Sequence, residues 1–256
     1  MSEVRIENAC GGSLLRILVE KPKGNVYTGD VMRAIDEQVD HAQQRGGLKL
    51  ITLEGEGKDF SFGASVEEHT AQQVGAMLPV LRELVLRIRS SPIPVAALVQ
   101  GRCLGGAFEV VLACHFLFAT PSSQLGLPEI RLGVFPPAAC ALLPQRGGQA
   151  LAERMILGGE TLSGEELLRL GLVHRLLEEQ SPWASFQAWF EAGPGSYSAA
   201  ALREATRAVA HENLDALAAS LERHERTYLD RLMRTFDANE GIRAFLERRS
   251  PHWRNS

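Results

Sequence analysis

Little in the sequence speaks for a disulfide scaffold or a metal centre. Its four cysteines (Cys10, Cys103, Cys114, Cys140) show no CxxC spacing and sit mostly in apolar surroundings. They read as reduced, buried thiols of a cytoplasmic protein. No zinc-ligand spacing is present, so no metal is expected. A basic surplus is missing too. The chain has 27 Lys and Arg against 31 Asp and Glu, a net charge of −4, which argues against a nucleic-acid binder. No run of about 18 apolar residues occurs, so no membrane span is expected. Met1 to Gly12 lacks the basic start and apolar stretch of a signal peptide. Low-complexity tracts and fixed-period repeats are also absent. What remains is 256 residues, 45% of them hydrophobic. That is enough for one large domain, or one domain with a small appendage, to bury its core without disulfides or metals.

Hydrophobic periodicity divides the chain into strands alternating with helices, then into helices. Ser13 to Glu20, Leu48 to Leu53, Val95 to Val99 and Leu117 to Ala119 read as strands. Asp30 is placed to cap a helix carrying Val31, Ile35 and Val39, which ends at Gly46-Gly47. Helical spacing recurs over 74–88, where Arg82, Arg87 and Arg89 read as a solvated face, and over 107–114. A further helix is expected to start near Val66. Beyond Gly133, helices are expected over 149–157, 163–170, 198–211 and 214–236. Gly193-Pro194-Gly195 marks a boundary between a core of residues 1–195 and a helical region of residues 196–256.

Two glycine loops and two acids carry the chemistry. Asp59 to Ser65 follows a strand, and its glycine permits a turn that aims a backbone N–H into a cavity. A plain tight turn fits that segment equally well. Gly101 to Glu109 joins a buried strand to an apolar helix, whose first N–H groups are unsatisfied and suit a developing oxyanion. Glu109 follows Gly106 by three residues, about one helical turn, on a helix otherwise made of Phe108, Val110, Val111 and Leu112. Such a carboxylate needs a partner or a purpose; it either satisfies local N–H groups, pairs with an arginine, or serves catalysis. Glu129, in Gly126-Leu127-Pro128-Glu129-Ile130, is a second acid in an apolar setting. It is either a surface residue at a turn or the partner that splits the two ionisations into an acid and a base.

Several of these motifs, in this order, resemble the crotonase (enoyl-CoA hydratase) superfamily: Phe62-Gly63-Ala64, Gly101 to Glu109, Leu127-Pro128-Glu129 with Gly133, Gly171-Leu172-Val173, and the tail Asp237 to Arg249. The resemblance spans nearly the whole chain. It implies an α/β fold, a spiral of ββα units followed by a C-terminal helical trimerisation region, and a homotrimer or dimer of trimers. It also implies that Ala64 and Gly106, flanked by Gly63 and Gly105, bind a thioester oxygen, with Glu109 and Glu129 as the two carboxylates of a hydratase or dehydratase. Lys21, Pro22 and Gly24 fall on the family's first CoA-contacting loop, and Phe245 and Arg248 where its tail touches CoA, often from a neighbouring subunit. CoA is part of the substrate and no separate cofactor is implied.

Departures from the pattern bear on the acyl group. Ser65 and His115 stand where relatives often carry Asp, and Pro136-Pro137-Ala138-Ala139-Cys140-Ala141 replaces a glycine-rich run bordering the acyl pocket. An acyl group other than a simple straight-chain enoyl is therefore expected. The loop Phe60 to His69, with Phe62, Ser65 and His69, resembles that of the cyclohexa-1,5-diene-1-carbonyl-CoA hydratases of anaerobic aromatic degradation. His69 either contacts the substrate or is a surface residue at an acidic helix start. Other readings keep the fold: a generic or branched-chain enoyl-CoA hydratase, dehydratase or isomerase, or a non-catalytic CoA- or RNA-binding relative.

Overall fold

The computed structural model describes residues 3–210 and 212–256. The chain opens with an antiparallel hairpin, β1 (Val4–Ala9) and β2 (Leu14–Val19). Then come α1 (Gly29–Ala42), β3 (Leu50–Gly55), α2 (Val74–Ser90), β4 (Val95–Val99), β5 (Arg102–Leu104), α3 (Gly105–Ala113), β6 (Phe116–Ala119) and β7 (Gln124–Gly126). The second half holds α4 (Pro137–Gly147), α5 (Gln149–Ile156), β8 (Thr161–Ser163), α6 (Gly164–Arg169), β9 (Arg175–Leu176), α7 (Pro182–Ala192), α8 (Ala199–Ala210), α9 (Leu214–Asp230) and α10 (Phe236–Leu246). Six strands form a sheet in the order β1-β2-β3-β4-β6-β9, parallel from β2 onward, and β5-β7-β8 form a smaller sheet beside it. The fold is α/β with a C-terminal run of helices, and its parallel strands are joined by crossover helices as this class requires. No helix among the described residues is long and apolar enough to cross a membrane.

Burial explains why these segments adopt these forms. All five residues of β4 are buried, as expected of a central parallel strand covered on both faces. In α3 all nine residues are buried, Glu109 included. The strand β1 went unread because only Val4 of its six residues is buried, and Arg5, Glu7 and Asn8 make the segment too polar to stand out. His211, the last residue of the helix expected from Ser198, lies outside the described residues.

The structure corrects several expectations. Thr28, not Asp30, caps α1, its hydroxyl accepting from the Val31 amide; Asp30 lies inside the first turn, where a negative charge suits the helix dipole. After Val66 there is one 3-10 turn, Glu67–His69, and α-helix resumes only at Val74. The helix expected over 214–236 stops at Asp230, because Thr235 turns extended and its hydroxyl caps a new helix through the Ala238 amide. Arg82 and Arg87 are not a solvated face. Arg82 pairs with Glu225 of α9 at 2.8 Å, and Arg87 with Asp36 and Asp40 of α1 at 3.2 and 2.6 Å.

The last helix is fastened to the turn that carries Glu129. A Cβ added to Gly241 of α10 would lie 2.1 Å from the carbonyl oxygen of Leu132, at the end of the Pro128–Leu132 turn. Gly241→Ala must therefore push that turn away. The expected result is a loss of about 1–3 kcal/mol of stability in chemical denaturation together with reduced turnover. A variant as stable as the wild type would show that the two segments are not in this close approach.

Candidate active site

The two glycine loops run side by side. Phe60, Ser61 and Leu104 exchange backbone hydrogen bonds with Gln100, Arg102 and Ser61 across them, at 2.9 to 3.1 Å. This ladder brings Gly63, at φ +111, against the Leu104 carbonyl, and places Ala64 against Gly106, where an added Cβ would stand 2.7 Å from the Cβ of Ala64. Tyr27 holds the first loop through Gly63 and Ser65, its amide donating to Gly63 and its carbonyl accepting from Ser65. The Ala64 amide between them and the Gly106 amide at the start of α3 donate to no group among the described residues. Two adjacent, fixed N–H groups, one at a helix N-terminus, can polarise a carbonyl oxygen.

Both acids are beside them. One Glu109 carboxylate oxygen accepts hydrogen bonds from the Ala138 and Ala139 amides, at 2.7 and 2.9 Å, in the first turn of α4. Glu129 touches the second loop, its Oε1 lying 2.9 Å from where a Cβ on Gly105 would stand. Its Oε2 is buried without a hydrogen-bond partner. Burial pushes Glu109 up to about 7 against the pull of its two amide bonds. Burial, and then the charge of Glu109, hold Glu129 well above the usual carboxylate range. At neutral pH the pair thus retains a proton, which equips it to move one beside a polarised carbonyl.

A cavity of about 70 Å³ is lined among others by Phe62, Ala64, Gly106, Glu129, His69 and Ile242 of α10, with Glu109 outside its lining. His69 Nδ1 donates to the Ser65 carbonyl at 2.7 Å, and burial lowers its ionisation, so the neutral ring keeps an acceptor at Nε2. Outside the cavity mouth, Phe62 packs on Gly24 beside a groove of about 510 Å³ that includes Lys21, Lys23 and Lys58. Lys21 is also paired with Glu3 at 2.8 Å.

Not every expected residue converges here. Ser65 turns to Glu67, its hydroxyl donating at 2.7 Å. Pro22 is exposed in its turn, and Pro136 is buried at the N-cap of α4 without lining the cavity. Phe245 and Arg248 are exposed and lie outside the cavity of their own chain. The structure adds Lys23 and Lys58, and it adds Tyr228 of α9. Tyr228 is buried edge-on against Phe135, and its hydroxyl has no partner. Burial and then the charges of the nearby Glu109 and Glu129 raise its ionisation. Nothing in the sequence marks this residue, because it lies within an amphipathic helix some 100 residues downstream of the acids.

Comparison with known proteins agrees with this geometry. The enoyl-CoA hydratase/isomerase family model matches residues 10–256. A cyclohexa-1,5-dienecarbonyl-CoA hydratase of Thauera aromatica is 42% identical over 244 residues, 95% of this chain and 94% of that protein. A probable enoyl-CoA hydratase of Bacillus subtilis (strain 168) is 30% identical, covering 93% of this chain and 94% of that one. In fold, the chain is similar to the crystal structure of an enoyl-CoA hydratase from Bacillus halodurans, with a TM-score of 0.87 at 22% identity, covering 95% of this chain and 100% of that one. Two unengaged amides beside two buried, proton-retaining carboxylates make the candidate site. The chain belongs to the enoyl-CoA hydratase/isomerase family.

Two predictions follow from the polar groups. Glu109 rises from 4.5 to about 7 on folding. Its contribution to stability is therefore fully present below about pH 4.5 and lost as pH rises through about 7, a difference on the order of 3 kcal/mol. Urea unfolding at pH 5 and pH 9 should show Glu109→Gln losing less stability than the wild type across this interval. Equal losses would contradict the buried, proton-retaining carboxylate. Tyr228→Phe removes a hydroxyl without a hydrogen-bond partner, so the melting temperature should hold or rise. Turnover should fall and its pH profile shift if the hydroxyl serves the acid pair. Unchanged kcat and profile would assign Tyr228 to the core alone.

Proposed function

We propose that the chain is a hydro-lyase that adds water to a conjugated acyl-CoA thioester, the substrate being cyclohexa-1,5-diene-1-carbonyl-CoA and the product 6-hydroxycyclohex-1-ene-1-carbonyl-CoA. The observation that carries the reaction type is the pair of proton-retaining carboxylates beside two unengaged amides. Support for the cyclic acyl group comes from the similarity to the Thauera aromatica hydratase and from the Phe60 to His69 loop. The reaction belongs in the degradation of aromatic acids through CoA thioesters.

In this scheme the thioester oxygen sits on the Ala64 and Gly106 amides, each donor contributing about 3 kcal/mol to the transition state. Water between Glu109 and Glu129 gives its proton to the ionised member of the pair and attacks the carbon β to the carbonyl. The electron pair moves onto the thioester oxygen and is delocalised over the second double bond. The protonated member then delivers a proton to the far γ carbon, a 1,4-addition that leaves the ring with one double bond conjugated to the thioester. One proton is taken and one returned, so the pair ends with its charge unchanged. The lysine groove beside Phe62 suits the CoA phosphates. Phe245 and Arg248, exposed on their own chain, suit contact with CoA bound to a neighbouring subunit of a homotrimer or dimer of trimers in the cytoplasm.

The test is a panel of thioesters: the cyclic dienoyl-CoA, crotonyl-CoA and a branched enoyl-CoA, with products followed by mass. The cyclic substrate should gain one water and have the highest kcat/KM. Glu109→Gln and Glu129→Gln should each lower kcat by about 100-fold or more. Preference for crotonyl-CoA would make the chain a general enoyl-CoA hydratase, and full activity in both variants would sink the acid–base scheme.

A further inference from the structure

A second cavity, of about 440 Å³, opens at the other end of the parallel sheet, where β4, β6 and β9 begin rather than end. Its polar lining is made by Arg89 at the end of α2, Arg146 at the end of α4, and His115 and His174 just before β6 and β9. Arg146 donates through one nitrogen to the carbonyls of Leu112 and Cys114 at the end of α3. Its other N–H groups, and all of those on Arg89, have no hydrogen-bond or ion-pair partner among the described residues. The Leu117 amide donates to His174 Nδ1, and the Val95 amide to His115 Nδ1, both at 3.0 Å. Each neutral ring must then carry its proton on Nε2. No carboxylate lines this cavity among the described residues.

Such a set of donors is costly as it stands. Burial and the charge of Arg89 push Arg146 down to about 10, and burial and the charge of Arg146 lower His174. Two guanidinium groups thus share a partly buried space that no carboxylate among the described residues lines. The remaining wall is largely apolar, with Phe116 of β6 and Leu202 and Val209 of α8, and includes Thr206, whose hydroxyl donates to the Leu202 carbonyl. A volume of this size exceeds what one inorganic ion fills and lies within the range of small-molecule sites.

We propose that this cavity binds a small organic carboxylate, its head group held by Arg89 and Arg146 and its apolar body lying against α8. Guanidinium forks receive a carboxylate through paired hydrogen bonds, and a single negative charge turns the repulsion between the two arginines into attraction to a common partner. The proposal is independent of the thioester chemistry, since the site shares no side chain with it.

Isothermal titration of the full-length protein with benzoate, cyclohexanecarboxylate, sulfate and neutral benzamide tests it. Both carboxylates should bind with Kd on the order of 1 mM or tighter, sulfate more weakly, and benzamide not at all. Arg89→Gln supports no other group, so it should fold, keep the wild-type rate of hydration, and weaken carboxylate binding at least tenfold. Arg146→Lys should weaken binding while keeping a charge at the end of α3. Glu109→Gln should leave binding unchanged. Binding of benzamide equal to that of benzoate, binding indifferent to Arg89→Gln, or binding lost in Glu109→Gln would each overturn the proposal. So would absence of carboxylate binding with a smaller assembly of Arg89→Gln in ultracentrifugation, which would make the cavity a contact for an acidic side chain of a second copy.

Discussion

Two hydrogen bonds, from the Ala138 and Ala139 amides to one oxygen of Glu109, tie the two halves of the acid–base centre together. They join the strand-and-helix core, which delivers α3, to the helical second half, which begins with α4. The sequence before them prepares the bond. Pro136 and Pro137 have no N–H to offer, and Pro137 fixes the first helical residue. The first amides that α4 presents are therefore those two. A helix N-terminus also favours the negative charge that burial opposes. The same carboxylate is held in one orientation and left near the midpoint of its ionisation.

That balance is why a destabilising feature persists. Burial raises the proton affinity of both carboxylates, the charge of Glu109 raises that of Glu129 further, and the structure leaves one oxygen of Glu129 and the hydroxyl of Tyr228 without partners. Unsatisfied buried polar atoms are rare in folded proteins, and clusters of them mark places where stability has been given up for chemistry. The cost falls where a reacting water and a polar substrate edge would supply the missing hydrogen bonds. Gly105 and Gly106 allow it sterically, because Glu129 Oε1 and the Cβ of Ala64 occupy the space that side chains there would need.

Much of this was legible along the chain. The strands β2, β3, β4 and β6 and the helices α2, α3 and α5 follow from local pattern, and the pairing of Gly106 with Ala64 from the family resemblance. What escaped reading depends on distance. Thr28 rather than Asp30 caps α1 because the cap is defined by backbone conformation, and both residues are good cappers. Arg82 and Arg87 look like a solvated stripe until α1 and α9 bring acids to them. Glu109 could be read either as a satisfied carboxylate or as a catalytic one. It is hydrogen-bonded to amides 29 and 30 residues away and raised by burial, so the first description holds, and the second belongs to the proposed function. Tyr228 could not be read at all, since only the packing of α9 on α4 gives it a place near the acids.

The helix α3 draws these observations into one argument. It is buried along its whole length and carries a single charged side chain. Its N-terminus supplies the Gly106 amide, its middle supplies Glu109, and its C-terminal carbonyls are covered by Arg146. At its C-terminal end the carbonyls are covered by Arg146 of α4, and at its N-terminal end Glu129 lies beside Gly105. Glu129 precedes Pro136 and Arg146 follows Pro137, so the stretch between them runs from the small cavity beside Gly106 at one end of α3 to the arginine-lined cavity at the other. The Gly106 amide at its start is thus carried by a helix held through Glu109 in its middle and through Arg146 at its end.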